Sequence, residues 1–284
     1  MMQESSTFLS SFVFLLACIP GMTGQNPCPD PGDISPCTCD GTSADFVTVD
    51  CSDATSGDQI FSAFNDVDWP FKNLGNFALW GNRAVEDMPE GMFGEVSFRS
   101  IGISNTSIKT IHPSSLLPSK DRLELLTVTR NPMEDFPWEA LTHFARLGEL
   151  RFWENAFTTL RPFESSSLGE VDLTANQIKT LEAGSFAPNL FRLILGFPTN
   201  AYINLIANDI GNISEESFRP IVEVLSLGGG SIGLAGNPVV CDCSMAWLAL
   251  NPGFLESVSG RCVDGTLFSD LVPEDFQDCV IFDQ

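Results

Sequence analysis

From residue 74 onward the chain repeats one arrangement of apolar positions. Its clearest copies are Leu123-x-x-Leu126-x-Val128-x-x-Asn131-x-Met133-x-x-Phe136, Leu147-x-x-Leu150-x-Phe152-x-x-Asn155-x-Phe157-x-x-Leu160 and Leu168-x-x-Val171-x-Leu173-x-x-Asn176-x-Ile178-x-x-Leu181. In each copy two apolar residues are separated by one position, which predicts a short strand with one buried face. The Asn three residues later predicts an inward-turned amide, satisfying backbone groups where the chain leaves the strand. The apolar positions beyond it close the back of the unit. A unit this small cannot bury its apolar side alone, so the copies must stack, strand beside parallel strand.

Four further copies are less regular. The first has Leu74, Phe77, Leu79 and Asn82, then Met88-Pro89 and Phe93, with a back one residue longer than the pattern. The second has Phe98, Ile101, Ile103, Ile108 and Ile111, with Thr106 where Asn is expected. The sixth begins with Leu190, Leu193 and Leu195 and breaks register. Its Asn is placed at Asn208, followed by Ile210, Ile213 and Phe218, so an extra piece containing Pro198 and the only tyrosine, Tyr202, falls between Leu195 and Asn208. A seventh strand is expected around Val224 to Leu227, and a last one at Ile232-Gly233-Leu234, leading into Asn237-Pro238. Phe93, Phe163, Phe186 and Phe218 are assigned to the convex half of the core. This spacing is the leucine-rich repeat signature. The expected fold class is α/β: a curved leucine-rich repeat solenoid with a parallel β-sheet on its concave face and disulfide-bonded N- and C-terminal caps.

The ends differ from the middle. An apolar run from Phe8 to Pro20, followed by Gly21-Met22-Thr23-Gly24, reads as a signal peptide over residues 1–24, although the first seven residues carry Glu4 and no Lys or Arg. A buried first helix and a lipoprotein box at Leu15-Leu16-Ala17-Cys18 are the competing readings. Beyond it, eight cysteines fall into two groups: Cys28, Cys37, Cys39 and Cys51, then Cys241, Cys243, Cys262 and Cys279. Even numbers clustered at the ends suit an oxidising compartment, and each group of four allows three pairings. The domains expected are an N-terminal cysteine-rich cap over 25–72, repeats over 73–236 and a C-terminal cysteine-rich cap over 237–284. Ile60, Phe61, Phe64 and Val67 predict a short amphipathic helix from Gln59 to Trp69 that finishes the first cap. No second apolar run has the length to span a bilayer, and Phe282-Asp283-Gln284 offers no lipid-anchor tail, so a secreted protein without a membrane anchor is expected. A net charge of −23 repels a phosphate backbone and argues against nucleic acid. It serves solubility or attraction to a basic partner.

Candidate chemistry is sparse. Gly228-Gly229-Gly230-Ser231-Ile232-Gly233 fits G-x-G-x-x-G, but a dinucleotide site needs a helix to begin there, and Gly236, Pro238 and Cys241 forbid one. His112 and His143 lie in different coils without partners at ligand spacing. No cofactor, metal site or catalytic group is expected. Binding is more promising, because outward residues of stacked strands form columns stepping ~4.8 Å per strand. One column is expected to contain Trp80, Ser104, Thr129, Trp153, Thr174 and Gly196; its neighbours are Ala78, Gly102, Thr127, Arg151, Asp172, Ile194 and Gly81, Asn105, Arg130, Glu154, Ala175, Phe197. Trp80, Thr129, Arg130, Arg151, Trp153, Glu154 and Asp172 are the candidate protein-binding residues, since exposed Trp beside Arg is the composition of an interface hot spot. The competing reading lays both indoles flat on neighbouring side chains and pairs Arg130 with Glu154 and Arg151 with Asp172. Asn105-Thr106-Ser107 and Asn212-Ile213-Ser214 are glycosylation sequons, Asn105 on the concave side and Asn212 on the back. Asn105 is alternatively the residue that takes over the ladder role opposite Thr106.

The second cysteine group carries a resemblance. Gly236-Asn237-Pro238-Val239-Val240-Cys241-Asp242-Cys243-Ser244-Met245-Ala246-Trp247-Leu248, with Asn251-Pro252 and Cys262-Val263-Asp264-Gly265-Thr266-Leu267, is similar to secreted arthropod leucine-rich repeat proteins. It resembles in particular the non-catalytic subunits of shrimp luciferin 2-monooxygenases. The resemblance implies Cys28–Cys39, Cys37–Cys51, Cys241–Cys262 and Cys243–Cys279 pairings, with Trp247 packed on the last coil. It also implies a non-catalytic module that binds a protein, either a secreted enzyme or a cell-surface receptor. The alternative is an adhesion or pattern-recognition protein that binds glycans or a receptor.

Overall fold

A computed structural model describes residues 26–182 and 201–280. The expected leader, Phe186, and the expected start of the sixth coil from Leu190 through Pro198 lie outside the described residues. Fourteen strands occur among those described: β1 (Thr38–Asp40), β2 (Thr48–Asp50), β3 (Asn73–Trp80), β4 (Asp87–Met88), β5 (Ser97–Ser104), β6 (Thr110–Ile111), β7 (Leu125–Thr129), β8 (Glu149–Arg151), β9 (Thr159–Leu160), β10 (Glu170–Asp172), β11 (Thr180–Leu181), β12 (Tyr202–Asn204), β13 (Ser231–Gly233) and β14 (Val258–Ser259). Ten form one sheet in the order β1-β2-β3-β5-β7-β8-β10-β12-β13-β14, and the pairs β4–β6 and β9–β11 run along the other side of the coils. The sheet is parallel except for the β1–β2 hairpin.

Register turns the sequence repeat into a continuous wall. Val49, Phe77, Ile101, Leu126, Leu150, Val171, Ile203, Ile232 and Val258 stand directly beside one another, one per strand, and all are buried. Behind this wall lie two aromatic clusters. Phe64, Trp69, Phe77, Phe93 and Phe98 pack at the N-terminal end, and Phe136, Trp138, Phe152, Phe157 and Phe163 in the middle, with ring centroids about 5–6 Å apart. Bulky rings on the back and a ~4.8 Å strand spacing on the front make the back the longer side of the stack.

Each coil turns off its strand in the same way. Asn176 donates through Nδ2 to the carbonyls of Phe152 (2.9 Å) and Leu173 (2.8 Å) and accepts from the Phe157 amide at 3.2 Å. Asn208 and Asn237 repeat this one and two coils later. The residue before each ladder position is left-handed: Gly81, Asn105, Arg130, Glu154, Ala175, Ala207 and Gly236 all have φ between 55° and 75°. In the second coil Thr106, fully buried, holds the ladder place. Its amide and hydroxyl both donate to Asn131 Oδ1, and its oxygen accepts from the Ile108 amide. Asn105 is exposed and does not take that role, because a left-handed residue directs its side chain out of the coil.

Three expectations are corrected. Val224 to Leu227 is not a strand but part of the helix Glu215–Gly228, whose Phe218, Ile221, Val222 and Leu225 are buried at helical spacing. Pro220 inside the helix and the apolar Val224-Leu225 pair hid it; Arg219 steadies it by bonding Glu215 and Glu223, each four residues away. The sixth coil's strand is β12, so Tyr202 lies on the sheet and not in an extra piece before Asn208. Ile203-x-Leu205-x-x-Asn208 fits the repeat when read backwards from the Asn. Finally, the first helix is Gly57–Asn65, shorter than expected: Ser56 caps it, Asn65 bonds out to Gly91 and Met92, and Phe61 is exposed.

Both ends are closed by the implied bridges, Cys28–Cys39, Cys37–Cys51, Cys241–Cys262 and Cys243–Cys279. Buried Trp247 donates from Nε1 to the Ile213 carbonyl, tying the C-terminal cap to the back of the sixth coil. Asn176→Ala strips four bonds, to Phe152, Leu173, Thr174 and the Phe157 amide, from the buried turns of two coils. It is expected to lower stability by about 3 kcal/mol or more, since each buried group left unpaired costs ~1–3 kcal/mol. Urea unfolding monitored by tryptophan emission checks this, and a loss below about 1 kcal/mol would remove the amide from that role.

Candidate functional site

The outward side chains of the main sheet form the columns expected, up to the fifth coil. Trp80 stands beside Ser104 and Ser104 beside Thr129, while Ala78, Gly102, Thr127 and Arg151 share a second line with Asp172. The sixth members differ from those expected. Asn204 pairs with Asp172, and the Ala175 amide donates to the Ile206 carbonyl, so Asn204, Ile206 and Ala207 take the places assigned to Ile194, Gly196 and Phe197.

The candidate binding residues separate into several situations. Trp80 is 55% exposed. The six-membered ring of its indole lies over Gly102, where an added Cβ would meet it at 3.5 Å. Trp153 is half-buried, and the Arg130 guanidinium sits 4.8 Å from its ring centroid. Arg130 is in turn held by Glu154 at 3.1 Å, both side chains about half exposed. Thr129 is a correction: it is buried, and its hydroxyl donates to Ser104 Oγ at 3.0 Å, so it serves the sheet and presents nothing outward. The pairing of Arg151 with Asp172 is also corrected. Arg151 turns to Glu149 at 2.5 Å, while Asp172 Oδ1 accepts from the amide and hydroxyl of Thr174. A carboxylate two residues from a hydroxyl closes a local turn that outcompetes a neighbouring guanidinium. Asp50 and Ser52 make the same turn.

Tyr202 was missed as a site residue because its coil was read out of register. Its hydroxyl lies against Gly233, where any Cβ would collide with it. Burial, followed by the negative charges of Asp172 and Glu170, pushes its phenol above the ordinary tyrosine value. The C-terminal part of the face therefore carries negative potential from Asp172 and Glu170, which have no cationic partner among the described residues, whereas Glu149 is paired with Arg151.

Other candidate chemistry resolves structurally. Gly228 ends a helix, Gly229 caps it at φ +71°, and Ser231–Gly233 is a strand, the reverse of the strand-to-helix order a dinucleotide site requires. His112 caps the short helix Pro113–Leu116 by accepting from the Ser114 amide. Among the described residues no group of three or more His, Cys, Asp or Glu is placed to hold a metal ion, and no helix is long and apolar enough to cross a membrane. Asn105 and Asn212 are both exposed; Asn105 Oδ1 accepts from Arg83 at 2.6 Å.

No protein-family model matches the chain. It is 26% identical to the Oplophorus-luciferin 2-monooxygenase non-catalytic subunit of Oplophorus gracilirostris over 317 aligned positions, which cover 88% of this chain and 87% of that protein. Among solved structures, human 5T4 (Wnt-activated inhibitory factor 1, trophoblast glycoprotein) matches with a TM-score of 0.47 and 16% identity, over 87% of this chain and 98% of that one. The resemblance read from the C-terminal cap thus extends over nearly the whole sequence.

The chain's single tyrosine makes one property directly measurable. Alkaline titration of absorbance is expected to show Tyr202 ionising above about 10, the value of a free phenol. Asp172→Asn is expected to move it downward. Because the folded value is raised, this group's stabilising contribution is complete below pH ~10 and is lost as pH rises through the folded value. An ordinary midpoint in native protein would place Tyr202 in open solvent. Arg130→Ala is expected to cost about 0.5–1 kcal/mol and shift part of the tryptophan emission to longer wavelength. Unchanged emission would take the guanidinium off the Trp153 ring.

Proposed function

We propose that this chain is a secreted, non-catalytic leucine-rich repeat protein that holds a protein partner on the outward face of its main sheet, as the companion subunit of a secreted luciferase or related oxidase. The observation that carries the reading is that outward face itself: Trp80, Arg130, Arg151 and Glu154 remain exposed on the strands and coil turns between β3 and β8. Aromatic and Arg side chains on a rigid parallel sheet present a pre-organised surface, so little ordering entropy is lost when a partner docks. Disulfides at both ends fit an oxidising compartment. The companion role is supported by the relative, whose name describes a non-catalytic subunit and whose match covers 88% of this chain. The acidic end of the face, around Glu149, Glu170 and Asp172, favours a partner with a basic contact surface.

Carbodiimide cross-linking of native secreted material followed by mass spectrometry tests both the partner and the surface. The expected result is cross-links from Glu149, Glu154, Glu170 or Asp172 to lysines of a co-purifying oxidase, and no luciferin oxidation by the isolated chain. Cross-links confined to back-side carboxylates such as Asp135 and Glu216 would move the interface. Oxidase activity in the isolated chain would end the non-catalytic reading.

A further inference from the structure

Of eight large apolar side chains left exposed among the described residues, four belong to the C-terminal cap: Val240, Val263, Leu267 and Val272. Val240 and Val263 stand together. The Val240 amide donates to the Gly211 carbonyl at 2.9 Å, and the Val263 amide to the Val239 carbonyl at 2.8 Å. Segments 211–212, 239–240 and 262–263 therefore lie side by side. Val240 is 48% exposed and Val263 62%. Neither can turn inward, because their chain neighbours Val239 and Cys262 already fill the buried side.

The first of these segments holds a modification signal. Asn212 is exposed and begins the sequon Asn212-Ile213-Ser214, on the stretch that leads from the ladder residue Asn208 into the helix Glu215–Gly228, away from the main sheet. The backbone on either side of it is fixed: Gly211 is bonded to Val240, and the Ile213 carbonyl accepts from Trp247 Nε1 at 3.0 Å. Ser214 keeps its hydroxyl out of the capping bond of that helix. The other sequon is tied up by one residue. Asn105 Oδ1 accepts from the Arg83 guanidinium at 2.6 Å, and the Ser107 hydroxyl donates to the Arg83 carbonyl at 3.1 Å. Nothing comparable holds Asn212 or Ser214 among the described residues.

We propose that Asn212 carries an N-linked glycan whose first sugars lie over Val240 and Val263, so that carbohydrate and not a protein covers this apolar corner of the cap. In the modifying step Asn212 Nδ2 bonds to C1 of the reducing-end N-acetylglucosamine of a lipid-diphosphate-linked oligosaccharide. The C1–O bond to the diphosphate breaks, the amide proton leaves with the lipid diphosphate, and nothing is oxidised or reduced. Hydrogen-bonded segments lie ~4.8 Å apart, which puts Val240 one step and Val263 two steps from Asn212. A sugar ring laid across them removes valine methyls from water with its C–H face and keeps its hydroxyls hydrated. The glycan stands clear of the outward sheet face and leaves it to a partner. The inference rests on the secreted part of the reading above and is independent of the companion role.

Glycopeptide mapping of native secreted protein, with free and bridged cysteines labelled separately, reads the modification and the compartment together. A glycan at Asn212 and four intact bridges are expected. Enzymatic removal of that glycan from the folded full chain is expected to raise the emission of Nile red, a neutral dye for exposed apolar surface, at least twofold. Val240→Ser combined with Val263→Ser should abolish the rise. Nuclear Overhauser contacts between the first sugars and valine methyls of the unaltered glycoprotein are expected as well, and they do not depend on how the double variant folds. Bare Asn212 in a fully bridged protein overturns the proposal alone. Bare Asn212 with free cysteines overturns the secreted reading with it. An occupied Asn212 that shows no valine contacts, or whose glycan can be removed without change in dye emission, also overturns the proposal, since the sugar then points into solvent.

Discussion

The structure depends on how a polypeptide leaves a buried strand without abandoning its backbone hydrogen bonds. Every coil needs a tight turn at the end of its strand, and that turn faces the core, where water is absent. The ladder amides meet the need from inside: Asn176, Asn208 and Asn237 each reach the preceding coil as well as their own. Stacking and turning are therefore one interaction. A coil lacking its neighbour lacks acceptors for its amide, and the neighbour lacks a donor. This coupling explains the left-handed residue before each ladder position, occupied by Arg130, Glu154, Ala175 and Ala207 although such φ values cost a non-glycine residue ~1 kcal/mol or more. The turn is held in place by the bonds on either side of it.

The same coupling creates the problem that the caps solve. A stack built from mutual satisfaction has two ends where satisfaction stops. At the N-terminal end Asn82 turns to Ser52 and Ala54 of the cap, and β2 supplies a parallel edge for β3. At the C-terminal end β14 pairs with β13, and buried Phe268 packs under Gly260. Neither cap is large enough to hold itself together by burial, and each is crossed by two disulfides, which restrict the unfolded chain by ~2–4 kcal/mol per bridge. The bridges make short irregular segments rigid enough to terminate a regular array.

What was legible in the sequence follows from that logic. Period-two apolar pairs with an Asn at fixed distance carry their own structural cause, so the coils with intact motifs were readable in detail, down to the outward columns. The cysteine pairings and the Trp247 contact were readable through resemblance, because cap geometry has no short periodicity of its own. Reading failed where local signals competed. Leu190-x-x-Leu193-x-Leu195 imitates a coil start, whereas β12 is found only by counting back from Asn208. Val224-Leu225 is apolar enough for a strand, and Pro220 argues against helix, yet burial at helical spacing prevails. Side-chain partners were the least legible. Arg151 prefers Glu149 on its own strand, Asp172 prefers Thr174, and Thr129 disappears beneath the surface it was expected to display. These choices turn on ångström-scale competition between neighbours that a column alignment treats as equivalent.

The two tryptophans of the outer column show how far such competition reaches into function. By position they are equivalent, each two residues before a ladder residue of its coil. Position +1 separates them. After Trp80 it is Gly81; the residue stacked beside it in the next coil is Asn105, whose amide bonds to Arg83 away from the ring. Beside Trp153, in the preceding coil, it is Arg130, long enough to lie across the indole and anchored there by Glu154. An uncharged neighbour therefore leaves one indole open, and a charged neighbour closes the other while adding to the charged half of the sheet. The left-handed position, required only to turn the chain, also decides which surfaces the protein offers. Changes confined to that position alter the outward face without disturbing the ladder that supports it.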